Sequence, residues 1–446
     1  MKKLIGAKIH FVGIGGIGMC GLAELMHNLG ASVTGSDLRE NQQTDHLKKL
    51  GITIFTGHKA EQVGDIDVVV YSSAVKFDNP EVKKAFQLKI PVMPRAEALA
   101  EIMRLKRGVA VAGTHGKTTT TSFCASAFLS TPSDPTIVVG GRLDVIKSTA
   151  KLGAGEWLIA EADESDGSFQ KLAPEIVIIT NIDDDHMDHY KTFSNLQAAF
   201  YEFALKVPFY GSCIVCGDDT ETRKLFVEFP KRIYFYGFDT NNDFVLQKVS
   251  NFYEIYFEGK LWATIQPPIP GDHNALNAAA ALIAGSLAGL KIEELKEGIE
   301  SFAGVDRRFQ YKGLFNGARI YDDYGHHPTE IKAVLKAFRE KFSHQKIKVI
   351  FQPHRYSRFQ SCWQDFLLSF DNADNLMVLP VYKAGETPIS GVDSEEFVKQ
   401  VKHKSVSYFP NFSALTNHLE SNLNEGDVLV TLGAGDVWKV GADLCQ

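Results

Sequence analysis

Short runs of apolar, β-branched residues alternate with segments of helical periodicity along the whole chain. In the first hundred residues the apolar runs lie at 9–12, 32–34, 53–55 and 67–71, with helical patterns at 22–29 and 45–50. Strands that alternate with helices form βαβ units, in which the strands are parallel and the helices cover the sheet. This part of the chain therefore predicts a Rossmann-like α/β domain.

The same alternation continues to the end of the chain. Later predicted strands lie at 109–112, 176–181, 318–321, 347–351, 376–379 and 428–432, the segment 158–163 is a strand with an acidic end, and an alanine-rich helical pattern follows Gly271. A chain of 446 residues is too long for one hydrophobic core. Pro91, Pro94 and the basic stretch 104–107 mark a first boundary. We expect three domains: 1–106, Rossmann-like; 107–306, with the parallel or mixed sheet of a P-loop ATPase; and 307–446, again Rossmann-like.

Composition narrows the class of partner. The formal net charge is -7 and the pI is near 6.1, so no overall basic field favours nucleic acid or an anionic membrane. The six cysteines lack the spacing of a disulfide framework, which is typical of a reducing compartment and predicts a cytoplasmic location. The apolar segment 275–290 contains Asn277 and Ser286, so we expect a packed helix and no membrane span.

A glycine-rich loop at 13–18 follows the first predicted strand and opens a helix. Its sequence, GIGGIG, suits a turn that packs against a pyrophosphate, with the helix amides supplying a partial positive charge. Asp37 ends the next strand, where dinucleotide-binding proteins place the acid that holds a ribose. The alternative is a structural turn without a ligand.

A second and different glycine loop follows the strand at 109–112. In GTHGKT, at 113–118, a lysine and a threonine follow the glycines with P-loop spacing, so Lys117 would neutralise phosphate oxygens and Thr118 would hold Mg²⁺. The strict pattern has glycine where this chain has Val111, and a chance match is the alternative. Two different loops predict two phosphorylated ligands.

Acidic segments follow two later strands and suit a metal that accompanies a nucleotide. Glu161 ends an apolar strand, and the segment 180–189 is dense in oxygen ligands and contains His186. Carboxylates are the ligands that Mg²⁺ prefers, and an imidazole could join its shell. His186 as an ordinary surface residue is an equally good interpretation of the composition.

Two segments in the last third of the chain offer further chemistry. The segment 321–328 supplies aspartates and imidazoles that could position a nucleotide or accept a proton, although Pro328 also suits a capped helix start. Arg355 and Arg358 are three residues apart, so on a helical turn they would face one side and could bind a carboxylate or phosphate. Solvated surface charges are the alternative.

Seven segments in this order resemble the Mur ligases, and the resemblance covers nearly the whole chain. They are HFVGIGGIGM at 10–19, AGTHGKTTTT at 112–121, EADESDGSF at 161–169, TNIDDDHMDHY at 180–190, GDHNALNA at 271–278, DDYGHHPTE at 322–330 and QPHRYSR at 352–358. The resemblance implies an ATP-dependent amide ligase of peptidoglycan synthesis that acts through an acyl phosphate. It implies that UDP-N-acetylmuramate binds to the first domain, ATP to the second and L-alanine to the third, in a monomer or homodimer.

The resemblance also implies roles for individual residues. Contacts to ATP are implied for Gly113, Thr114, His115, Gly116, Lys117, Thr118, Thr119, Asn274, Arg308 and Asp323. Contacts to the UDP-sugar are implied for Gly15, Gly16, Ile17, Gly18, Asp37, Ser72 and His115. The amino-acid and acyl site would contain Tyr324, His326, Arg355 and Arg358, of which the last three and Lys117 would be catalytic. Thr118 and Glu161 would bind one Mg²⁺ and His186 would bind a second. Mn²⁺ can replace Mg²⁺.

Four other interpretations stay open. A related ligase reattaches a recycled tripeptide to the same UDP-sugar, but it tends to carry Phe-Ala where this chain has Tyr324-Gly325. A dehydrogenase built on the first loop would leave the second loop unexplained, and a GTPase would need an Asn-Lys-x-Asp motif that the sequence lacks. A binding-only regulator is disfavoured by Lys117, Glu161 and His186. Asp183 stands where the family usually has glutamate.

Overall fold

The computed structural model describes residues 4–72, 74–143 and 145–445. The chain forms two compact units: the first contains Met1–Pro267 and Leu276–Ala303, and the second contains Pro268–Ala275 and Gly304–Gln446. Two β-sheets lie in the first unit and one lies in the second. The fold class is α/β, as the alternating pattern predicts. The three domain boundaries stay a prediction.

The amino-terminal sheet has five parallel strands in the order β3-β2-β1-β4-β5. Its elements are β1 Lys8–Val12, α1 Ile17–Asn28, β2 Ser32–Asp37, α2 Gln42–Lys49, β3 Thr53–Thr56, β4 Val68–Tyr71, α3 Pro80–Gln87, β5 Val92–Pro94 and α4 Arg95–Met103. The chain winds outward from β1 in one direction and then, from β4, in the other. Sheets of this kind bind ligands at such a switch point, beyond the carboxyl ends of the strands. The first glycine loop lies there.

The central sheet has ten strands in the order β15-β14-β13-β12-β11-β10-β6-β9-β7-β8 and is mixed. Its strands are β6 Arg107–Ala112, β7 Thr136–Leu143, β8 Ser148–Lys151, β9 Trp157–Glu161, β10 Ile176–Ile179, β11 Ser212–Cys216, β12 Ile233–Gly237, β13 Phe244–Val249, β14 Phe252–Phe257 and β15 Lys260–Ile265. The helices of this region are α5 Lys117–Leu129, α6 Met187–Tyr190, α7 Phe193–Ala204, α8 Thr220–Phe226, α9 Asp272–Leu287 and α10 Ile292–Glu300. Strand β6 pairs in parallel with β9 and β10, so the ends of these three strands lie side by side.

The two sheets of the first unit share one hydrophobic core. Buried residues of the amino-terminal sheet and its helices, such as Phe11 and Leu99, belong to the same cluster as Phe169 and Phe200 of the central region. Burial of this much apolar surface joins the two sheets into one compact unit. Within the described residues, no helix combines the length and apolar character needed to cross a membrane.

The sheet of the second unit has six strands in the order β16-β17-β21-β18-β19-β20, parallel except for β16. Its strands are β16 Gln310–Phe315, β17 Ala318–Asp323, β18 Ile347–Phe351, β19 Asn375–Val378, β20 Val406–Tyr408 and β21 Val428–Leu432. Its helices are α11 Pro328–Lys341, α12 Tyr356–Ser361, α13 Trp363–Phe366, α14 Ser394–Gln400, α15 Phe412–Asn422 and α16 Trp438–Leu444.

This sheet is buried on both faces. Val349 and Phe351 of β18 lie in one hydrophobic cluster and Ile350 lies in another, which is the period-two alternation of a central strand. Helix α11 begins as the sequence predicts: His327 is its N-cap and Pro328 occupies the first turn. The loops after β17 and β18 therefore leave the same edge of a rigid sheet.

Candidate functional site

The second glycine loop is fixed by the end of the neighbouring strand β10. The His115 amide donates to Oδ1 of Asn181 at 2.8 Å, and the hydroxyl of Thr180 donates to the His115 carbonyl at 2.6 Å. Gly113 and Gly116 adopt φ of +134° and +81°, a region that L-residues rarely adopt. Contacts within the protein thus fix the shape of the loop, and helix α5 begins directly after it.

Lys117 begins α5 and points back over the loop. Its ammonium donates to the carbonyls of Gly113 (2.8 Å) and Thr114 (3.0 Å) and to Oε1 of Glu164 (2.8 Å). Burial alone would lower the pKa of Lys117, but nearby carboxylates, first among them Glu164, outweigh it and raise the pKa. The side chain therefore stays a cation in a largely buried position.

Glu161 and Thr118 meet where β9 ends beside the loop. The Thr118 hydroxyl donates to Oε1 of Glu161 at 3.1 Å, and the Gly140 amide donates to Oε2 at 2.9 Å. Burial raises the pKa of Glu161, although Lys117 acts in the opposite direction. Thr119, one residue further along α5, is buried.

Glu164 links the predicted metal residue His186 to Lys117. Its side chain is fully buried, and Nε2 of His186 lies 3.5 Å from Oε1. His186 has a φ of +61° and precedes the short helix α6, whose Tyr190 hydroxyl donates to the Glu164 carbonyl at 2.6 Å. Oε2 of Glu164 accepts no hydrogen bond from the described residues. A buried carboxylate oxygen without a donor is an expected ligand for a cation.

The first glycine loop is held by the end of strand β2. The amides of Gly13 and Ile14 donate to the Ser36 carbonyl at 2.9 and 3.0 Å, and the Gly15 amide donates to Oδ2 of Asp37 at 2.8 Å. A Cβ on Gly15 would lie 2.9 Å from that same carboxylate oxygen. Asp37 therefore holds the loop itself, and its predicted contact with a ribose stays a prediction.

The other residues predicted to bind the UDP-sugar lie around the same loop, except His115. Ser72 follows β4, and its Cβ lies 3.1 Å from the position of a Cβ on Gly13, so both strand ends border the switch point. Gly16 is the N-cap of α1, and the side chain of Ile17 is 46% exposed. His115 belongs instead to the second loop, where its Nε2 lies 2.9 Å from Oδ2 of Asp183.

In the second unit, Tyr324 and His326 lie just beyond β17. Nδ1 of His326 lies 3.0 Å from the Tyr324 carbonyl, and its backbone amide donates to Oε2 of Glu330 at 3.0 Å. The Tyr324 ring lies under two guanidinium groups, with Cζ of Arg307 at 5.0 Å and of Arg308 at 5.3 Å. Burial lowers the pKa of His326 to about 3.

The loop after β18 brings the two predicted arginines to one imidazole. Arg358, then Arg355, add to burial in lowering the pKa of His354 to about 4, and Arg358 also acts on His326. The His326 and His354 rings are 6.0 Å apart, and His354 stacks on Tyr382 at 5.5 Å. Arg355 is the N-cap of α12 with a φ of +66° and so precedes the helix that contains Arg358.

Three predicted ATP contacts also lie in the second unit. The carboxylate of Asp323 accepts the amides of Phe309 and Gly325, both at 2.8 Å, and burial raises its pKa to about 6. Arg308 acts electrostatically on Asp323 and on His273. Asn274, next to His273, donates to the Pro270 carbonyl at 2.8 Å. The structure thus gives Asp323 a clear role in shaping the loop.

We expect the buried imidazoles of His273 and His354 to destabilise the protein as the pH falls from about 6.5 to about 4, while the raised pKa of Asp323 acts in the opposite direction below about pH 6. Burial lowers the pKa of His273 and His354 from 6.5 to about 4 in the folded state. These two imidazoles then bind more protons in the unfolded chain in this range, so through them acid favours unfolding. Thermal unfolding as a function of pH checks this. His354→Asn should flatten the dependence, whereas the exposed His344→Asn should leave it unchanged; equal slopes in both variants would contradict the assignment.

Sequence reasoning missed Glu164, Asn181 and His354. Each lies inside one of the seven motifs, so the motifs located them without giving them a role. The signal that could have found Glu164 is the run of carboxylates after β9. Which of them faces Lys117 depends on the turn after the strand, which periodicity does not describe.

Three family models match consecutive parts of the chain. The Mur ligase family catalytic domain matches residues 8–107, the Mur ligase middle domain matches 111–285, and the Mur ligase glutamate ligase domain matches 307–435. The chain belongs to the Mur ligase family, as the seven motifs predict.

The names of individual relatives specify substrates, which the family models do not. The UDP-N-acetylmuramate–L-alanine ligase of Bdellovibrio bacteriovorus is 57% identical over 99% of both chains, and that of Desulfatibacillum aliphaticivorans is 48% identical over 97% of both. Among solved structures, the UDP-N-acetylmuramate-alanine ligase MurC of Thermotoga maritima is 30% identical, with a TM-score of 0.83 and 98% of both chains covered. A murein peptide ligase of Psychrobacter arcticus, 22% identical with a TM-score of 0.74 and the same coverage, shares the fold.

Proposed function

We propose that this protein joins the lactoyl carboxylate of UDP-N-acetylmuramate to the amino group of L-alanine, with cleavage of ATP to ADP and phosphate, in peptidoglycan synthesis. The observation that carries the proposal is the arrangement of Lys117, Thr118 and Glu161 around a preformed phosphate loop. The names of relatives that are 57% and 48% identical over almost the full length support the choice of substrates.

The oxygen atoms around the second loop are suitable ligands for Mg²⁺. Thr118 and Glu161 offer a hydroxyl and a carboxylate that already face each other at 3.1 Å, and Glu164 has a buried oxygen without a donor. Hard oxygen ligands of this kind suit Mg²⁺, so Thr118 and Glu161 would hold one ion. The family resemblance assigns His186 to a second ion, and Oε1 of Glu164 lies 3.5 Å from its Nε2. When bound, the metal offsets negative charge on the phosphate oxygens and so favours attack on the terminal phosphorus. Mn²⁺ offers the same ligand preferences.

The first chemical step transfers the terminal phosphoryl group of ATP to the lactoyl carboxylate. A carboxylate oxygen attacks phosphorus, the bond to ADP breaks, and an acyl phosphate forms. Lys117 is fixed at the loop and stays a cation, so it would stabilise the charge that spreads over the transferred oxygens. The amides of Gly116 and Thr118, near the start of α5, would orient the phosphates.

The second step forms the amide bond. The alanine ammonium first gives a proton to His326 or to a carboxylate near it, and the free amine attacks the acyl carbon. The nitrogen then loses a second proton, and the tetrahedral intermediate collapses to the amide as the bond to phosphate breaks. Arg355 and Arg358 would bind the alanine carboxylate, since Arg355 is the N-cap of α12 and Arg358 lies three residues further, within that helix. Burial lowers the pKa of His326 to about 3, so the imidazole is neutral at physiological pH and can accept a hydrogen bond from the amine.

The other predicted residues are assigned to the UDP-sugar or to ATP. The first glycine loop, with Asp37 and Ser72, would bind the pyrophosphate and ribose of the UDP-sugar. Asn274, Arg308 and Asp323 would contact ATP.

All six cysteines are free thiols in the structure, which supports a reducing, cytoplasmic location. We propose a monomer or homodimer.

The test is phosphate release from ATP with Mg²⁺ and UDP-N-acetylmuramate. Three reactions are compared: with L-alanine, with the L-Ala-γ-D-Glu-diaminopimelate tripeptide, and without an acceptor. We expect turnover with L-alanine, and mass spectrometry should identify the UDP-N-acetylmuramoyl-alanine product. Turnover with the tripeptide alone would move the assignment to a recycling ligase, and no turnover with either acceptor would overturn the ligase proposal.

A further inference from the structure

All three N–H donors of the Lys117 ammonium have acceptors within the protein. A lysine ammonium has three N–H donors. Those of Lys117 are matched by three acceptors, the carbonyls of Gly113 and Thr114 and the carboxylate of Glu164, at 2.8 to 3.0 Å. A phosphate oxygen can therefore reach Lys117 only by replacing one of these partners. The two carbonyls belong to the loop backbone, whereas Glu164 is a side chain from another segment.

The Glu164 carboxylate is buried away from solvent and lies beside cationic or cation-binding side chains. Its side chain is 0% exposed, and its backbone carbonyl is fixed by the Tyr190 hydroxyl and the Gly167 amide at 2.6 and 2.9 Å. Oε1 faces both Lys117 and His186, while Oε2 accepts no hydrogen bond from the described residues. Its carboxylate thus places a negative charge beside the position where a nucleotide phosphate must come.

We propose that Glu164 is a positioning residue that holds the Lys117 ammonium over the loop and opposes nucleotide phosphate until a divalent cation compensates its charge. Glu161 and Asp163 add further negative charge around the same ammonium. Like charges a few ångströms apart in a partly buried site repel strongly. Nucleotide without metal is therefore disfavoured, and the site selects the metal complex. The inference rests on the proposed nucleotide site.

The experiment measures the binding of ADP to the full-length protein by calorimetry, with Mg²⁺ and with EDTA. Glu164→Gln and Glu164→Ala both remove the charge, and the second does not depend on how well the amide fits. Glu164→Asp keeps the charge and serves as the conservative variant. The matched control is Asp166→Asn, which removes one negative charge from an exposed position of the same loop. Thermal unfolding confirms that each variant is folded.

We expect Glu164→Gln and Glu164→Ala to bind ADP without Mg²⁺ about tenfold more tightly than the unaltered protein, because one repelling charge is gone. The gain in ADP affinity on adding Mg²⁺ should shrink in both. Glu164→Asp and Asp166→Asn should retain the original dependence on Mg²⁺. A residue with only a structural role would weaken ADP binding when replaced.

Two outcomes would overturn the inference. Unchanged or weaker ADP binding without Mg²⁺ in both neutral variants would show that Glu164 does not oppose the phosphate. An equal gain in Asp166→Asn would show that the net charge of the loop, and not Glu164, sets the dependence. If the unaltered protein bound no ADP under any condition, the proposed nucleotide site itself would fall, which is a separate result.

Discussion

Lys117→Met is expected to lower kcat/KM for ATP-dependent ligation by about a thousandfold, the order expected when a preorganised donor to a developing negative charge is lost. The ammonium is anchored by two loop carbonyls and Glu164, which in the proposed function would place it beside the phosphate charge that develops. Methionine fills a similar volume without the charge. It also leaves Glu164 without its cation, which adds to the loss of phosphate binding.

Phosphate release with UDP-N-acetylmuramate and L-alanine measures this effect, and calorimetry with ADP separates binding from turnover. The matched control is Lys106→Met. Lys106 also places its ammonium on backbone carbonyls, among them that of Gly153 at 3.0 Å, but lies outside the loop. Its replacement should leave activity per folded molecule unchanged. Comparable losses in the two variants would mean that Lys117 acts on the fold and not on the reaction.

Gly113→Ala is expected to destabilise the protein by about 3 kcal/mol and to abolish nucleotide binding, since it combines steric overlap with backbone strain. A Cβ at this position would lie 2.0 Å from Oγ1 of Thr180 and 3.0 Å from its backbone nitrogen. The φ of +134° adds strain for any L-residue. Either the loop or the end of β10 must move, and the contacts that shape the loop are lost.

Chemical denaturation gives the free energy of unfolding, and ADP calorimetry reports the loop. Gly64→Ala is the control, because a Cβ there meets no atom within 4 Å and its φ is ordinary. We expect Gly64→Ala to bind ADP normally and to unfold at the same denaturant concentration or slightly above it. Normal ADP binding by Gly113→Ala would contradict the close packing of the loop against Thr180.

Strands and helices of the parallel regions follow closely from the sequence. The apolar runs at 347–351 and 428–432 match β18 and β21 residue for residue. Buried parallel strands are short and continuously apolar, so composition alone locates them. The antiparallel strands β13 to β15 were not predicted, because their alternating and partly exposed residues give a weaker signal.

For some motif residues the residue type and spacing are enough to predict a role, and for others the contact depends on the tertiary structure. The sequence predicts that Lys117, Thr118 and Glu161 serve a phosphate and its metal, because P-loop chemistry uses those residue types beside a strand end, and the structure places Thr118 against Glu161 next to the loop. Asp37 was predicted to contact a ribose, and in the structure it accepts the Gly15 amide. A carboxylate at the end of a strand suits either partner, and only the path of the loop determines which one it meets.

By itself, the sequence determined the α/β class, the two glycine loops and the family, since these depend on local periodicity and on residue types at fixed spacing. Tertiary structure alone decided that Glu164, of all the acidic residues after β9, pairs with Lys117, and that His354 joins His326 near the two arginines. Such pairings depend on strand order and on turns that bring distant segments together. They arise from the packing of the sheets, which no local pattern records.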